Sequence, residues 1–158
     1  MSKSIIICGQ TGTGKTSLAL SLAKTLQTHL ISADSRQIYK EMDIGTGKVD
    51  PKDSLIQKEN IWHLNDIPIY GLNLITPDQV YSAGEFAQYC KPIIDNIISL
   101  KKTPILVGGT GFYIKSVIAP DQTISIPLNN TLRARYEPLE KDLDLVELRK
   151  IMQNELRA

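Results

Sequence analysis

The sequence predicts an α/β domain, a parallel sheet followed by a partial helical extension. Three features carry that expectation. Short apolar, β-branched runs end in glycine-rich turns, helical-period stretches follow those turns, and beyond Ala119 the pattern changes to a linker and charge-mixed helices. A chain of 158 residues and 17.6 kDa can bury one sizeable core but not two. With 42% hydrophobic and 22% charged residues and a net charge of +1, neither disorder nor a coiled coil is indicated.

Ser4 to Cys8 is an apolar run that meets Gly9, the pattern of a buried parallel strand. Beyond the turn, Leu18, Leu20, Leu22, Ala23 and Leu26 recur at helical spacing until polar Gln27-Thr28-His29. Leu30-Ile31-Ser32 reads as a second strand ending at Ala33-Asp34-Ser35, and Ile38, Tyr39 and Met42 suggest a helical turn after it. From Gly45 to Pro77 turn-forming residues are so frequent that the pattern assigns no elements. Ser82 and Glu85 have the spacing of a capping box. Phe86, Cys90, Ile93, Ile94, Ile97 and Ile98 trace one face of the helix it opens, with Pro92 expected to bend or interrupt it. Pro104 to Val107 is another buried strand, running into Gly108-Gly109-Thr110-Gly111 and a helix from Phe112 to Ile118.

Residues 1–119 are therefore expected to form the α/β core, and 120–158 a linker and the start of a helical insertion. Leu132 to Arg157 reads as helical, with Asp144 and Glu147 offering a second capping box. Six basic and six acidic residues between Arg133 and Arg157 describe a solvated helix face.

No apolar run approaches the ~18 residues of a membrane span. The run before Gly9 is too short for a secretory signal, so a cytoplasmic protein without membrane contact is expected. Cys8 and Cys90 lie in apolar runs without metal-ligand spacing and are expected to be buried, reduced thiols. His29 and His63 are isolated and read as surface or loop histidines; Trp62 and Tyr81 have the shape of stacking platforms, though packing is the commoner use of such rings. Because the net charge is nearly neutral, any contact with RNA must rest on a local patch.

The chemistry concentrates in Gly9-Gln10-Thr11-Gly12-Thr13-Gly14-Lys15-Thr16, which fits the phosphate loop G-x-x-x-x-G-K-[ST] at every fixed position. Glycines let successive amides point into one hollow, the following helix adds positive potential, Lys15 supplies a charge, and the Thr16 hydroxyl can ligate Mg²⁺. The loop follows a strand and opens a helix, which predicts a P-loop NTPase-like sheet. A triphosphate and a diphosphate leaving group present similar oxygens to such a loop, so the motif alone leaves its ligand open.

Asp34 ends a strand, where ligands collect in open α/β sheets. Its carboxylate could accept a proton, support Mg²⁺, or cap the turn before Ile38. A motor or GTPase usually has a metal-supporting Asp after an apolar strand. Gly108 stands there after Pro104 to Val107, which weakens that alternative. Thr110 either presents its hydroxyl to a ligand or caps the helix that follows it.

The phosphate loop is followed by Ile31-Ser32-Ala33-Asp34-Ser35-Arg36-Gln37-Ile38-Tyr39, then Met42-Asp43-Ile44-Gly45-Thr46-Gly47-Lys48, then Tyr81-Ser82-Ala83-Gly84-Glu85-Phe86, then Pro104 through Tyr113. In that order these blocks, covering about residues 4 to 118, resemble the N-terminal half of the tRNA dimethylallyltransferases. The resemblance implies an enzyme that transfers the dimethylallyl group of dimethylallyl diphosphate to the exocyclic amine of the adenosine beside the anticodon in tRNA. It makes Gly9 to Thr16 a diphosphate site, with Lys15, Thr16 and Mg²⁺ serving the leaving group, and Asp34 the general base. It places Asp34, Ser35, Arg36 and Gln37 against the adenosine, and Thr110 and Arg133 against the tRNA. A monomer is expected.

Gly12-Thr13 and Gly47 depart mildly from the Ala-Ser and Ala common in that family, and Leu72-Asn73-Leu74-Ile75 replaces a stretch that often holds a histidine. Family members continue for roughly the same length again, so the chain is expected to lack most of the RNA-gripping insertion. A phosphate-loop kinase for a small molecule or nucleotide, and a catalytically incomplete nucleotide- or RNA-binding fragment, are the alternatives.

Overall fold

The structure, a computed structural model, describes residues 3–48, 55–58, 61–120, 129–138 and 144–155. Contacts divide the chain into two compact units, Met1–Ser125 and Ile126–Ala158. The first unit runs β1 (Ile5–Cys8), α1 (Lys15–Leu26), β2 (Leu30–Ser32), β3 (Leu55–Lys58), β4 (Ile61–Leu64), β5 (Ile67–Tyr70), α2 (Ala83–Ser99), β6 (Ile105–Gly108) and α3 (Gly111–Ile118).

Its sheet has the order β1-β6-β2-β5-β4-β3. β1, β6, β2 and β5 pair in parallel; α1 connects β1 to β2 and α2 connects β5 to β6, as parallel strands need crossovers. β3, β4 and β5 form an antiparallel meander inside the stretch where sequence pattern assigned nothing. The sheet is thus mixed at that edge. The β4–β5 turn is Asn65-Asp66 with φ of 48° and 65°, the left-handed pair a two-residue hairpin needs.

Alternation along β2 and β6 divides two cores across the sheet. Leu30, Ile105 and Val107 pack with Ala19 and Ala23 of α1. Ile31 and Leu106 pack with Phe86, Cys90 and Ile97 of α2 and with Ile114 of α3. Phe86 stacks on Tyr113 with centroids 4.3 Å apart, and Tyr81 meets the same ring edge-on at 6.4 Å, so Tyr81 is a packing residue. Trp62 packs, half-buried, against the first core.

Four local expectations change. Where Ile38 to Met42 suggests a helical turn, the chain closes a tight turn from Asp34 to Gln37 and then extends, with Tyr39 bridging Ile75. Ile38 is fully buried there, and its carbonyl accepts from the Leu74 and Ile75 amides, so tertiary pairing overrides the local helical spacing. Pro92 sits within α2 without interrupting it, and the helix is anchored by a complete Ser82–Glu85 capping box. Cys90 is buried as expected, but Cys8 is exposed, because β1 lies at the sheet edge and one of its faces alternates toward solvent. His63 is half-buried in β4 rather than at a loop, and His29, before β2, stacks on Tyr70 with centroids 6.0 Å apart.

In the second unit, α4 (Asn130–Tyr136) and α5 (Leu145–Glu155) replace a single helical stretch. The Asp144 carboxylate accepts from the Val146 and Glu147 amides at 2.8 Å each, capping α5. Most of the expected linker, residues 121–128, lies outside the described residues.

Candidate functional site

The parallel register aligns the carboxyl ends of the three strands that matter. Cys8 pairs with Gly108, and Ser32 with Val107, so the phosphate loop, the Asp34 turn and the Gly109-Thr110 turn emerge together. They enclose a cavity of about 440 Å³.

The phosphate loop enters α1 through Gly14, whose φ of 80° is open to glycine and strained for other residues. The Gln10 carbonyl braces the loop from within, accepting from Thr13 Oγ1 at 2.8 Å and from the Lys15 ammonium. Thr11, Gly12, Gly14, Lys15 and Thr16 line the cavity, whereas Gly9, Gln10 and Thr13 shape the loop behind it.

Asp34 faces the same cavity, half-buried. Its Oδ1 accepts from the Arg36 amide at 3.0 Å, closing an Asx turn, so the carboxylate does cap its own turn while lining the site. Ser35, Arg36 and Gln37 line it too. Thr110 does not use its hydroxyl to cap α3: Oγ1 accepts from the Ser35 amide at 2.9 Å and donates to Ser35 Oγ at 3.2 Å. That joins the start of α3 to the Asp34 turn. The Gln37 side chain is committed within the protein, accepting from Ser32 Oγ at 2.6 Å and donating to the Gly47 carbonyl at 2.9 Å. Arg133 belongs to the second unit, and its side chain lies outside the described ones.

Below the turn, burial first, then the charges of Tyr39, Glu85 and Asp34, push the Tyr113 phenol up to about 12. It stays protonated at neutral pH and donates to the Tyr81 carbonyl at 3.3 Å.

Two parts of the cavity were missed by sequence reasoning. One is the group Leu30, Ile69, Leu72 and Val107, which borders the cavity from within the first core and is almost fully buried there. The other is a wall made by Gly45, Thr46 and Gly47. The Met42 to Lys48 block was the available signal for the wall; the four apolar residues look like ordinary core in the sequence.

Comparison with known proteins shows the family and the fold. The family model described as IPP transferase matches residues 37–158, and one described as ATPase family associated with various cellular activities (AAA) matches residues 5–68. A tRNA dimethylallyltransferase of Halothermothrix orenii is 40% identical over 97% of this chain and 47% of its own length. One of Finegoldia magna is 39% identical over 96% and 45%. The crystal structure of the full-length tRNA isopentenylpyrophosphate transferase from Bacillus halodurans has a TM-score of 0.68 at 29% identity, covering 98% of this chain and 48% of that one. That of the tRNA delta(2)-isopentenylpyrophosphate transferase from Staphylococcus epidermidis has a TM-score of 0.65 at 33% identity, covering 89% and 42%. The chain spans about half the length of the curated relatives it matches. A phosphate loop on the first strand, a carboxylate at the end of the second and a family match reaching from Gln37 to the C-terminal residue place this chain in the IPP transferase family.

Proposed function

We propose that the chain carries the prenyl-transfer site of a tRNA dimethylallyltransferase, moving a dimethylallyl group from dimethylallyl diphosphate to the exocyclic amine of the adenosine beside the anticodon. The observation that supports this best is the cavity itself, which brings a phosphate loop and a strand-end carboxylate together. The IPP transferase family match is what favours a prenyl over a phosphoryl group as the one transferred.

In this scheme the loop amides and Lys15 hold the diphosphate and take up the charge that grows as its C–O bond breaks. The amine nitrogen forms the new C–N bond, and Asp34 accepts the proton that the nitrogen must lose. The hydroxyl of Thr16 is a hard oxygen donor that suits Mg²⁺, an ion usually bound by one or two protein oxygens together with substrate phosphates. When bound, Mg²⁺ would neutralise diphosphate charge. The adenine must be unstacked to enter, which is easier from a loop than from a duplex. Ser35, Arg36 and Thr110 meet it on the Asp34 side, with Gln37 shaping that side from behind. Residues 1–119 act as the catalytic core, and 120–158 open a helical extension from which Arg133 reaches the tRNA. The protein works as a cytoplasmic monomer.

Incubation with labelled dimethylallyl diphosphate and tRNA, beside ATP with small hydroxyl and nucleotide acceptors, tests the proposal. Label in tRNA is the expected result. Phosphoryl transfer from ATP without label in tRNA would overturn it in favour of a kinase.

A further inference from the structure

The Gly45–Gly47 wall has no regular secondary structure, and Gly45 and Gly47 hold φ of 75° and 66°, so side-chain anchors must fix it. Lys48 supplies the principal one. Its side chain is 5% exposed, and its ammonium donates to the Tyr39 carbonyl at 2.6 Å, Asp43 Oδ1 at 2.9 Å and Asn73 Oδ1 at 2.6 Å. Three donors meet three acceptors, the full capacity of an ammonium group. The ion pair with Asp43 joins the two ends of the wall segment.

Gln37 grips the same wall by its Thr46 and Gly47 carbonyls and receives Ser32 Oγ from the end of β2. The chain of hydrogen bonds therefore runs from the wall to the strand that carries Asp34. None of these bonds reaches the phosphate loop.

We propose that Lys48 is a positioning residue: it holds the 43–47 segment as the acceptor-side wall of the cavity and so governs the fit of the incoming adenine rather than of the diphosphate. The acceptor part of this inference rests on the prenyl-transfer function proposed above. The anchoring part does not.

The test uses the full chain with Lys48→Met, which keeps the aliphatic length and removes all three bonds. Asp43→Asn, at a half-exposed side chain, keeps an oxygen acceptor and serves as the mild variant. Hydrogen exchange is read at residues 43–48 and across the phosphate loop, with affinity for inorganic diphosphate and KM and kcat for tRNA measured beside it. Hydrogen bonds to charged groups are the strong ones, so Lys48→Met should speed exchange in the segment by about tenfold or more. The tRNA KM should rise by a similar factor with diphosphate affinity within about twofold, and Asp43→Asn should give a smaller change of the same kind.

Unchanged exchange at 43–48 in both variants overturns the proposal. So does a loss of diphosphate affinity equal to the loss of tRNA affinity, which a merely structural role would produce. If Lys48→Met does not fold, Asp43→Asn decides by the same contrast. A wild-type chain that transfers no dimethylallyl group, yet shows the local exchange response, refutes the proposed function and the acceptor role together while upholding the anchoring.

Discussion

Gly108→Ala is the sharpest test of how the site is held together. A Cβ at Gly108 would lie 2.1 Å from the Ala33 carbonyl oxygen, 2.4 Å from its carbon and 2.9 Å from Ala33 Cα. Non-bonded carbons settle at ~3.5 Å, so β2 and β6 would have to separate by roughly 1 Å at their carboxyl ends. Every atom in that clash is main chain, which cannot turn aside as a flexible side chain could. The Ala33 amide donates to the Val107 carbonyl at 2.8 Å, and the Thr110 amide to the Ala33 carbonyl at 3.2 Å, so both bonds are stretched by the same movement. Overpacking of this kind costs about 1–3 kcal/mol. At roughly 2–4 °C per kcal/mol for a chain of this size, the melting temperature should fall by several degrees while the protein still folds. Asp34 follows Ala33 directly, and a displacement of about 1 Å at a reacting group can cost on the order of 10²-fold in rate. Thermal denaturation and prenyl transfer to tRNA, measured on the same preparation, check both halves. A variant with wild-type melting and wild-type turnover would refute the reasoning.

Lys15→Ala should weaken inorganic diphosphate binding by about tenfold or more in a titration. Its melting temperature should stay near that of the parent, since a loop charge of this exposure contributes little to stability. Asp34→Ala should lower turnover by roughly 10²- to 10⁴-fold with little change in diphosphate affinity if the carboxylate takes the proton; a parallel loss of Mg²⁺ affinity in a metal titration would assign it to the metal instead. Burial first, then the charges of Lys102 and His63, hold His29 below its ordinary value of 6.5. The unfolded chain therefore takes up that proton first on acidification. Stability should be intact above about pH 6.5 and decline below it through the lowered folded-state value, and His29→Gln should flatten this part of a denaturation series across pH.

The elements legible in the sequence were those whose own residues carry the instruction. β1, β2 and β6 announce themselves by apolar runs that stop at turns, and α2 by a capping box and one continuous apolar face. β3, β4 and β5 are four residues each, and the Asn65-Asp66 turn lacks the glycine that usually marks a hairpin. Their attachment to the parallel sheet, through β5 pairing with β2, joins residues far apart in the chain. Cys8 shows the same limit, since an apolar run says that a segment is a strand but not whether it lies at the edge. In the site, the phosphate loop was legible because its fixed positions match the motif between a strand and a helix; Asp34 was legible only as a strand-end carboxylate, and it does border the cavity. Ile69 and Leu72 were not, because core residues that happen to border a cavity carry no mark of it in the sequence. The Lys48–Asn73 and Thr110–Ser35 bonds join residues far apart in the chain, and no local pattern encodes such a meeting.

The edge position of β1 also equips the protein with a spectroscopic handle. Cys8 is exposed immediately before Gly9, while Cys90 is fully buried and its thiol is pushed up to about 12 by burial. Thiolate is the form that alkylating dyes attack, so a maleimide fluorophore applied to the folded chain near neutral pH should react at Cys8 and spare Cys90. This chain would thus accept one reporter beside the phosphate loop without any substitution. Its emission would report binding at the phosphate loop in real time, and so test the proposed diphosphate and tRNA substrates one at a time.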